Sequence, residues 1–282
     1  MTLKIAHLGP KGTYTEAAAI AYADTALIGT PVSLQPYPSI AQTLQAVASR
    51  EVMLAIVPVE NSIEGGVTMT ADTIWKLAAT LQIQQAIVLP IHHALISIAT
   101  DMSQIERVYS HPQALSQCQQ WLQGSLPHAA QIADSSTTAA LTMLSSQPQA
   151  AAISSVRAAS IYNLPILAHP INDRLDNQTK FWAIGLEPTL AGNCTSVAFG
   201  LRSNTPGGLM TALGFFANRG LNLSRIESRP SKRSLGEYLF FIDIETDVDN
   251  CPALKSALAD LTAYAETVKH FGSYYTTIVD PA

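Results

Sequence analysis

The run LKIAHLGPKGTYTEAAAIAYA, residues 3–23, decides the fold class. Leu3 to Leu8 reads as a strand, Gly9-Pro10-Lys11-Gly12 as a turn, and Tyr14 to Ala23 as a helix. The same rhythm then repeats. Val32 to Tyr37 reads as a second strand, Ser39 as a natural N-cap for a helix reaching about Ser49, and Val52 to Val59 as a continuous apolar, β-branched run covered on both faces. Strand, helix, strand, helix, strand in that order predicts a mostly parallel sheet flanked by helices.

Farther along, Ala86 to Ile98 and Val108-Tyr109 continue the apolar rhythm. A helix is expected from about Gln113 to Gln123 and another from near Ser135-Ser136, with short strands at Ala150 to Ile153 and Phe181 to Gly185. Glu187-Pro188-Thr189-Leu190-Ala191-Gly192-Asn193 lacks hydrophobic periodicity and reads as a linker. Beyond it the order changes. Ser196 to Leu201 is a strand, Gly207 to Asn218 a helix, Leu221 to Ser228 and Tyr238 to Glu245 strands, Pro252 to Tyr264 a helix and Thr267 to Tyr274 a last strand. This βαββαβ order is ferredoxin-like and α+β. The expected division is 1–186, a linker at 187–194, and 195–282.

The 282 residues suit about two domains. With 48% hydrophobic and 13% charged residues the chain can bury a large core, which excludes a disordered protein. A formal net charge of −5 argues against a nucleic-acid surface. The most apolar stretch, Ala86 to Ala99, is broken by Pro90, His92 and His93 and is shorter than the ~20 residues a membrane span needs. The first residues show no basic leader and apolar run, and Cys118, Cys194 and Cys251 are few, odd and far apart, so a reducing, cytoplasmic setting is expected.

Four polar segments sit at expected strand ends, where open α/β sheets bind ligands. In Gly9 to Glu16, helix N-terminal amides with Thr13 and Thr15 can hold a carboxylate or phosphate, although such a turn is also an ordinary cap; it fits neither a Walker loop nor a dinucleotide fingerprint. In Pro58 to Val67, Asn61 and Ser62 offer uncharged donors, and Gly65-Gly66 lets a ligand approach the backbone; the plainer reading is a loop bonding to itself. In Ser110 to Cys118, Ser110 ends a strand, and Gln113 and Gln117 fall one turn apart; Ser-His-Pro also reads as an N-cap. Asn172 to Phe181 gathers Arg174 and Lys180, two of only eight Lys or Arg before position 190, or else is a salt-bridged turn. His92-His93 is read as local structure, because adjacent residues face apart and no carboxylate lies at ligand spacing. Together the segments describe a cleft of hydroxyls, amides and a few cations with no metal or cofactor motif.

GPKGTYTEAA, PVENSIEGGV, SHPQALSQC and NQTKF, in that order, resemble the prephenate dehydratase family, and PGGLMTALGFFANRGLNLSRIESRP resembles its C-terminal ACT domain. The resemblance implies a two-lobed catalytic domain similar to type-2 periplasmic binding proteins. Residues 1 to about 90 and 170 to 190 would form one lobe and the middle the other. It implies a lyase that converts prephenate to phenylpyruvate by decarboxylation and loss of the ring hydroxyl, with no cofactor. It also implies Thr179 as the residue assisting hydroxyl loss, Asn61, Ser62, Ser110 and Gln117 in binding and catalysis, and Gly12, Thr13, Lys180 and Phe181 in substrate contact. Lys180 stands where the family usually has arginine, so the planar fork is lost. For the sensor, L-phenylalanine is expected between two ACT domains of a homodimer or homotetramer. Gly207, Gly208, Leu209 and Met210 (in place of the usual Gly-Ala-Leu-Val) would contact it, with Asn222, Leu223 and the Glu227-Ser228-Arg229-Pro230 motif. Arogenate dehydratase, and a non-enzymatic two-lobed binding protein, are the alternatives.

Overall fold

The structure, a computed structural model, describes residues 2–77, 81–134, 136–246 and 252–279. Cys251 and Ser135 lie outside them. The first lobe holds β1 (Leu3–Leu8), α1 (Tyr14–Ala26), β2 (Val32–Tyr37), α2 (Ile40–Ala48), β3 (Leu54–Asn61), β4 (Gly65–Gly66), α3 (Thr68–Leu77) and β5 (Gln82–Pro90). The second lobe holds β6 (Ala94–Ile96), β7 (Arg107–Ser110), α4 (Pro112–Ser116), α5 (Gln119–Ser125), β8 (Ala130–Ala133), β9 (Ala150–Ser154), α6 (Val156–Tyr162) and β10 (Ile166–Ala168). The chain then returns to the first lobe through β11 (Gln178–Gly185). The C-terminal unit, called the sensor after the expectation from the sequence, comprises β12 (Cys194–Gly200), α7 (Gly208–Ala217), β13 (Leu223–Pro230), β14 (Tyr238–Glu245), α8 (Pro252–Tyr264) and β15 (Thr267–Ile278).

The two lobes and the βαββαβ unit agree with the sequence reading; several local expectations do not. The large sheet is mixed: β1 lies parallel to β2 and β3, but β11 runs antiparallel between β3 and β5 because it comes back from the second lobe. The helix expected over 113–123 is two short ones. They break at Gln117 and Cys118, and the Asp173 carboxylate accepts from Gln120 N and Trp121 N, 2.9 Å each, to start α5 afresh. Instead of a helix near 136, the chain forms 3-10 turns at Ala139–Thr142 and Leu144–Ser146. The β11 strand begins at Gln178 rather than Phe181, which places Thr179 inside it.

Each face of the large sheet has its own core. On one side α1 covers Ile5, Ile56, Ile87 and Phe181. On the other, α2, α3 and the sensor sheet share one cluster in which Val57, Val59 and Trp182 meet Leu239, Phe241 and Phe271. The sensor's outer face is covered by α7 and α8 over Val197, Phe199, Ile242 and Ile244. The β15 strand pairs antiparallel with β12 and then continues parallel to β5, so lobe and sensor form a single ten-stranded sheet in the order β13-β14-β12-β15-β5-β11-β3-β1-β2, with β4 beside β3. The residues expected as a linker are tied into that seam. Thr189 donates to Ile83 O at 2.7 Å, and any Cβ at Gly192 would overlap the Tyr274 backbone, 2.0 Å away.

Candidate functional site

A cleft of about 560 Å³ opens between the lobes. Four helices begin at its wall: Thr13 to Thr15 of α1, Ile40 of α2, Thr68 and Met69 of α3, and His111 and Gln113 at α4. The side-chain cap of α1 is spent on Glu16 N, so the amides of Tyr14 and Thr15, two residues of the cavity lining, have no partner among the described residues. The ends of the longer helices α1, α2 and α3 each carry roughly half a positive charge, which favours carboxylates there and offsets the one acidic side chain of the lining, Glu64. Among the described residues, none that lines the cleft is Lys or Arg. The few cations expected from the sequence are elsewhere: Arg174 pairs with Asp176 on the surface, and Lys180 points to the opposite face of the sheet.

At the floor, β3 and β11 bring Asn61 and Thr179 directly opposite each other. Asn61 Nδ2 donates to Thr179 Oγ1 (2.9 Å), Asn177 Oδ1 (2.8 Å) and Gln178 O (3.1 Å), while its Oδ1 accepts from Ile63 N and Glu64 N, 3.0 Å each. Thr179 is thus an acceptor from Asn61, and its own hydroxyl hydrogen has no acceptor among the described residues. Donation into an oxygen strengthens that hydroxyl as a donor.

The network crosses to the second lobe. Asn177 Nδ2 donates to Gln117 Oε1 at 2.9 Å, and His93 Nε2 lies 3.1 Å from the same oxygen. Burial holds the His93 imidazole down at about 4, with the hydrogen bond to Gln117 acting in the opposite direction. The ring is therefore neutral; with Nε2 donating to Gln117, Nδ1 carries the lone pair and lies 3.3 Å from the Tyr14 oxygen, whose hydrogen is donated to His92 O at 2.6 Å. His93 N is fixed by Asn172 Oδ1 at 2.6 Å.

The residues singled out from the sequence separate into distinct places. Thr179, Asn61, Gln117, Thr13 and Phe181 line the cleft. Ser62 stands behind it, accepting from Gln178 N at 2.9 Å and reaching Asn177. Ser110 is fully buried and donates to Ile153 O at 2.7 Å, so it steadies the second lobe without facing the cavity. Gly12 joins the lobes, its N–H donating to Glu16 and its carbonyl accepting from Ser155. Lys180 lies 3.5 Å from Asp243 of the sensor, outside the cleft lining, because neighbours on a strand face opposite sides. Sequence reasoning missed His93, Tyr14, Asn172 and Asn177: a lone histidine or asparagine shows its role only once the chain returns through 172–178.

In the sensor, Gly207 takes φ of 80° at the start of α7, whereas Asn222 and Leu223 follow the helix's other end, about 15 Å away for ten residues. One chain therefore does not gather the two segments into one pocket. Leu209 packs into the helix-covered core, Gly208 is buried, and Met210 is exposed. Along β13, Glu227 and Arg229 face the first lobe, and Ser228 and Pro230 face outward.

Among the described residues no helix is long and apolar enough to cross a membrane, and no group of three His, Cys, Asp or Glu could hold a metal. Residues 5–189 match the prephenate dehydratase family model, and residues 195–262 match the ACT domain. A bifunctional chorismate mutase/prephenate dehydratase of Pseudomonas aeruginosa is 38% identical over 275 residues, 96% of this chain and 73% of the relative. The crystal structure of an Arthrobacter aurescens prephenate dehydratase in complex with L-Phe superposes with a TM-score of 0.87 at 35% identity, covering 97% of this chain and 90% of the other. A further solved structure, GqqA, described as a novel type of quorum-quenching acylase, has a TM-score of 0.83 at 26% identity, covering 97% and 98%. On the matched model and this shared architecture, the chain belongs to the prephenate dehydratase family.

Proposed function

We propose that the cleft converts prephenate to phenylpyruvate and that L-phenylalanine regulates it through the ACT domain. The observation that carries the reading is the Asn61–Thr179 pair, which leaves one uncommitted hydroxyl hydrogen at the cavity floor. In the reaction the bond to the ring carboxylate breaks, its electron pair enters the ring, and the ring hydroxyl departs as the ring becomes aromatic. Carbon dioxide and, after uptake of one proton, water are the co-products. Aromatisation supplies the driving force; hydroxide is the poor leaving group. Thr179 donates to that oxygen as charge develops on it, with the Asn61 amide polarising the hydroxyl. The amides opening α1 and α3 hold the carboxylates. Holding them by helix ends rather than by a paired cation avoids over-stabilising the carboxylate that must be lost.

Because fold alone does not fix chemistry, as the acylase of similar fold shows, turnover decides. Phenylpyruvate release from prephenate is measured with and without L-phenylalanine, and arogenate is tried in parallel. Conversion of prephenate that falls with phenylalanine supports the reading. Conversion of arogenate alone would keep the site and change the substrate, and conversion of neither would overturn the function. Two copies would bring the α7 start of one sensor against the Asn222-Leu223 segment of the other, so a cytoplasmic homo-oligomer is proposed, checked by light scattering.

A further inference from the structure

Behind Thr179, on the face of the sheet turned away from the cleft, lies a second polar cluster. Lys180 and its cross-strand partner Glu60 sit there as the rear counterparts of Thr179 and Asn61. The sensor sheet covers them. Lys180 Nζ is 3.5 Å from Asp243 Oδ2, and the Arg225 guanidinium is 3.7 Å from Asp243 Oδ1. Asp243 is 1% exposed and Arg225 6% exposed, so the buried carboxylate depends on the two cations, and Arg225 is balanced by Asp243 together with Glu227. Ser196 Oγ donates to Asp243 at 2.6 Å, and the Arg225 guanidinium stacks 5.5 Å above the ring of Trp182, two residues beyond Lys180.

The β13 strand reads the cleft at three points. Arg225 touches the rear of β11 directly at Trp182, and through Asp243 of β14 it is linked to Lys180. Glu227, ion-paired with Arg225, abuts Gly66 of the cleft wall, where a Cβ would lie 2.6 Å from its carboxylate. Arg229 holds Asp72 at 3.0 Å on α3, the helix whose first residues line the cavity. These alternate residues face the catalytic lobe, and the strand begins at the Asn222-Leu223 segment. A movement of β13 along its own axis would therefore shift the rear of β11, the Gly66 wall and α3 together.

We propose that Lys180, Asp243 and Arg225 form a positioning unit that sets Thr179 from behind and passes the state of the sensor sheet to the cleft. This rests on the function proposed above and adds to it the residues through which the effector acts. They touch no substrate, so their contribution is geometric: a misplacement of about 1 Å can cost on the order of 100-fold.

The full-length protein is compared with Lys180→Met and Lys180→Arg. In Lys180→Met, kcat for prephenate falls at least about tenfold with KM changed less than about threefold, the signature of lost transition-state alignment. Inhibition weakens, while calorimetry shows phenylalanine bound with affinity within about threefold of wild type, because the effector contacts are untouched. Lys180→Arg, which keeps the charge, recovers kcat to within about threefold. Amide exchange of residues 178–185 responds to phenylalanine in the wild type and not in Lys180→Met. Unchanged kcat and full inhibition in Lys180→Met would overturn the proposal, as would a lowered melting temperature with unchanged kcat. If Lys180→Met does not fold, Ser196→Ala removes the 2.6 Å contact to Asp243, together with one of 2.6 Å to the Tyr274 hydroxyl, and leaves both ion contacts; it is expected to lower kcat and inhibition together, and unchanged values would again overturn the proposal. If the wild type leaves prephenate untouched, the function fails on its own, and the exchange response still decides the coupling.

Discussion

Replacing Thr179 with valine deletes the hydroxyl at nearly constant shape. The cost to the fold is small, because Asn61 Nδ2 has two hydrogens and three acceptors within reach: Asn177 Oδ1 at 2.8 Å, Thr179 Oγ1 at 2.9 Å and Gln178 O at 3.1 Å. Losing one acceptor leaves both hydrogens partnered, so the stability loss is held near a single net hydrogen bond, ~1 kcal/mol. The cost to catalysis is larger. A preorganised donor aimed at developing negative charge contributes about 10²–10³ in kcat, or roughly 3–4 kcal/mol of barrier. Thr179→Val is therefore expected to lose at least about 100-fold in kcat by phenylpyruvate release, with a nearly unchanged urea midpoint. Thr179→Ser, which keeps the donor and loses only a methyl, stays within about tenfold of wild type. If Thr179→Val retained more than about a tenth of wild-type kcat, the hydroxyl would not be assisting the departing oxygen, and the reasoning from the uncommitted hydrogen would be wrong.

Two further outcomes follow from burial. The His93 imidazole, held at about 4 by burial, refuses a proton that the unfolded chain takes up near 6.5, so its contribution to stability is present above about pH 6.5 and is lost as pH falls toward 4, amounting to about 2 kcal/mol by pH 5. In His93→Gln the loss of stability between pH 7 and pH 5, read from urea unfolding, should shrink by about that amount; an unchanged loss would show that the ring titrates normally in the fold. Burial likewise pushes the Cys118 thiol up to about 12 and the Cys194 thiol to about 11, so neither supplies a reactive thiolate. Peptide mapping after alkylation should find both labelled only once the chain is unfolded, and rapid labelling of either in the native protein would contradict its buried placement.

Much of the first lobe was legible because its signals are local. Ser39 caps its own helix, Thr13 caps α1, and the apolar runs at 3–8 and 54–59 need no distant partner to be strands. The second lobe was less legible because its boundaries are set by tertiary contacts. The break at Cys118 depends on Asp173, far along the chain, supplying the cap of α5. Thr179 stood out only through the family resemblance; its apolar surroundings and its partner Asn61 are products of β3–β11 pairing. The misplacement of Lys180 has a simpler origin. Had the strand been started at Gln178, strict alternation would have sent Lys180 to the rear with Trp182 and Thr179 to the front with Phe181.

The seam formed by β15 also bears on how the molecule could be taken apart. Tyr275 to Ile278 occupy the edge of β5 along Gln85 to Val88, next to β11. A cut placed before β12 would free not a finished enzyme but a sheet with an open hydrogen-bonding edge, flanked by Val57, Val59 and Trp182 stripped of their cover. Such a fragment would be prone to associate through that edge. Sensor swaps between relatives therefore have a better chance when the exchanged piece carries its own last strand together with a β5 that matches it, because the graft is a matter of sheet register rather than of linker length.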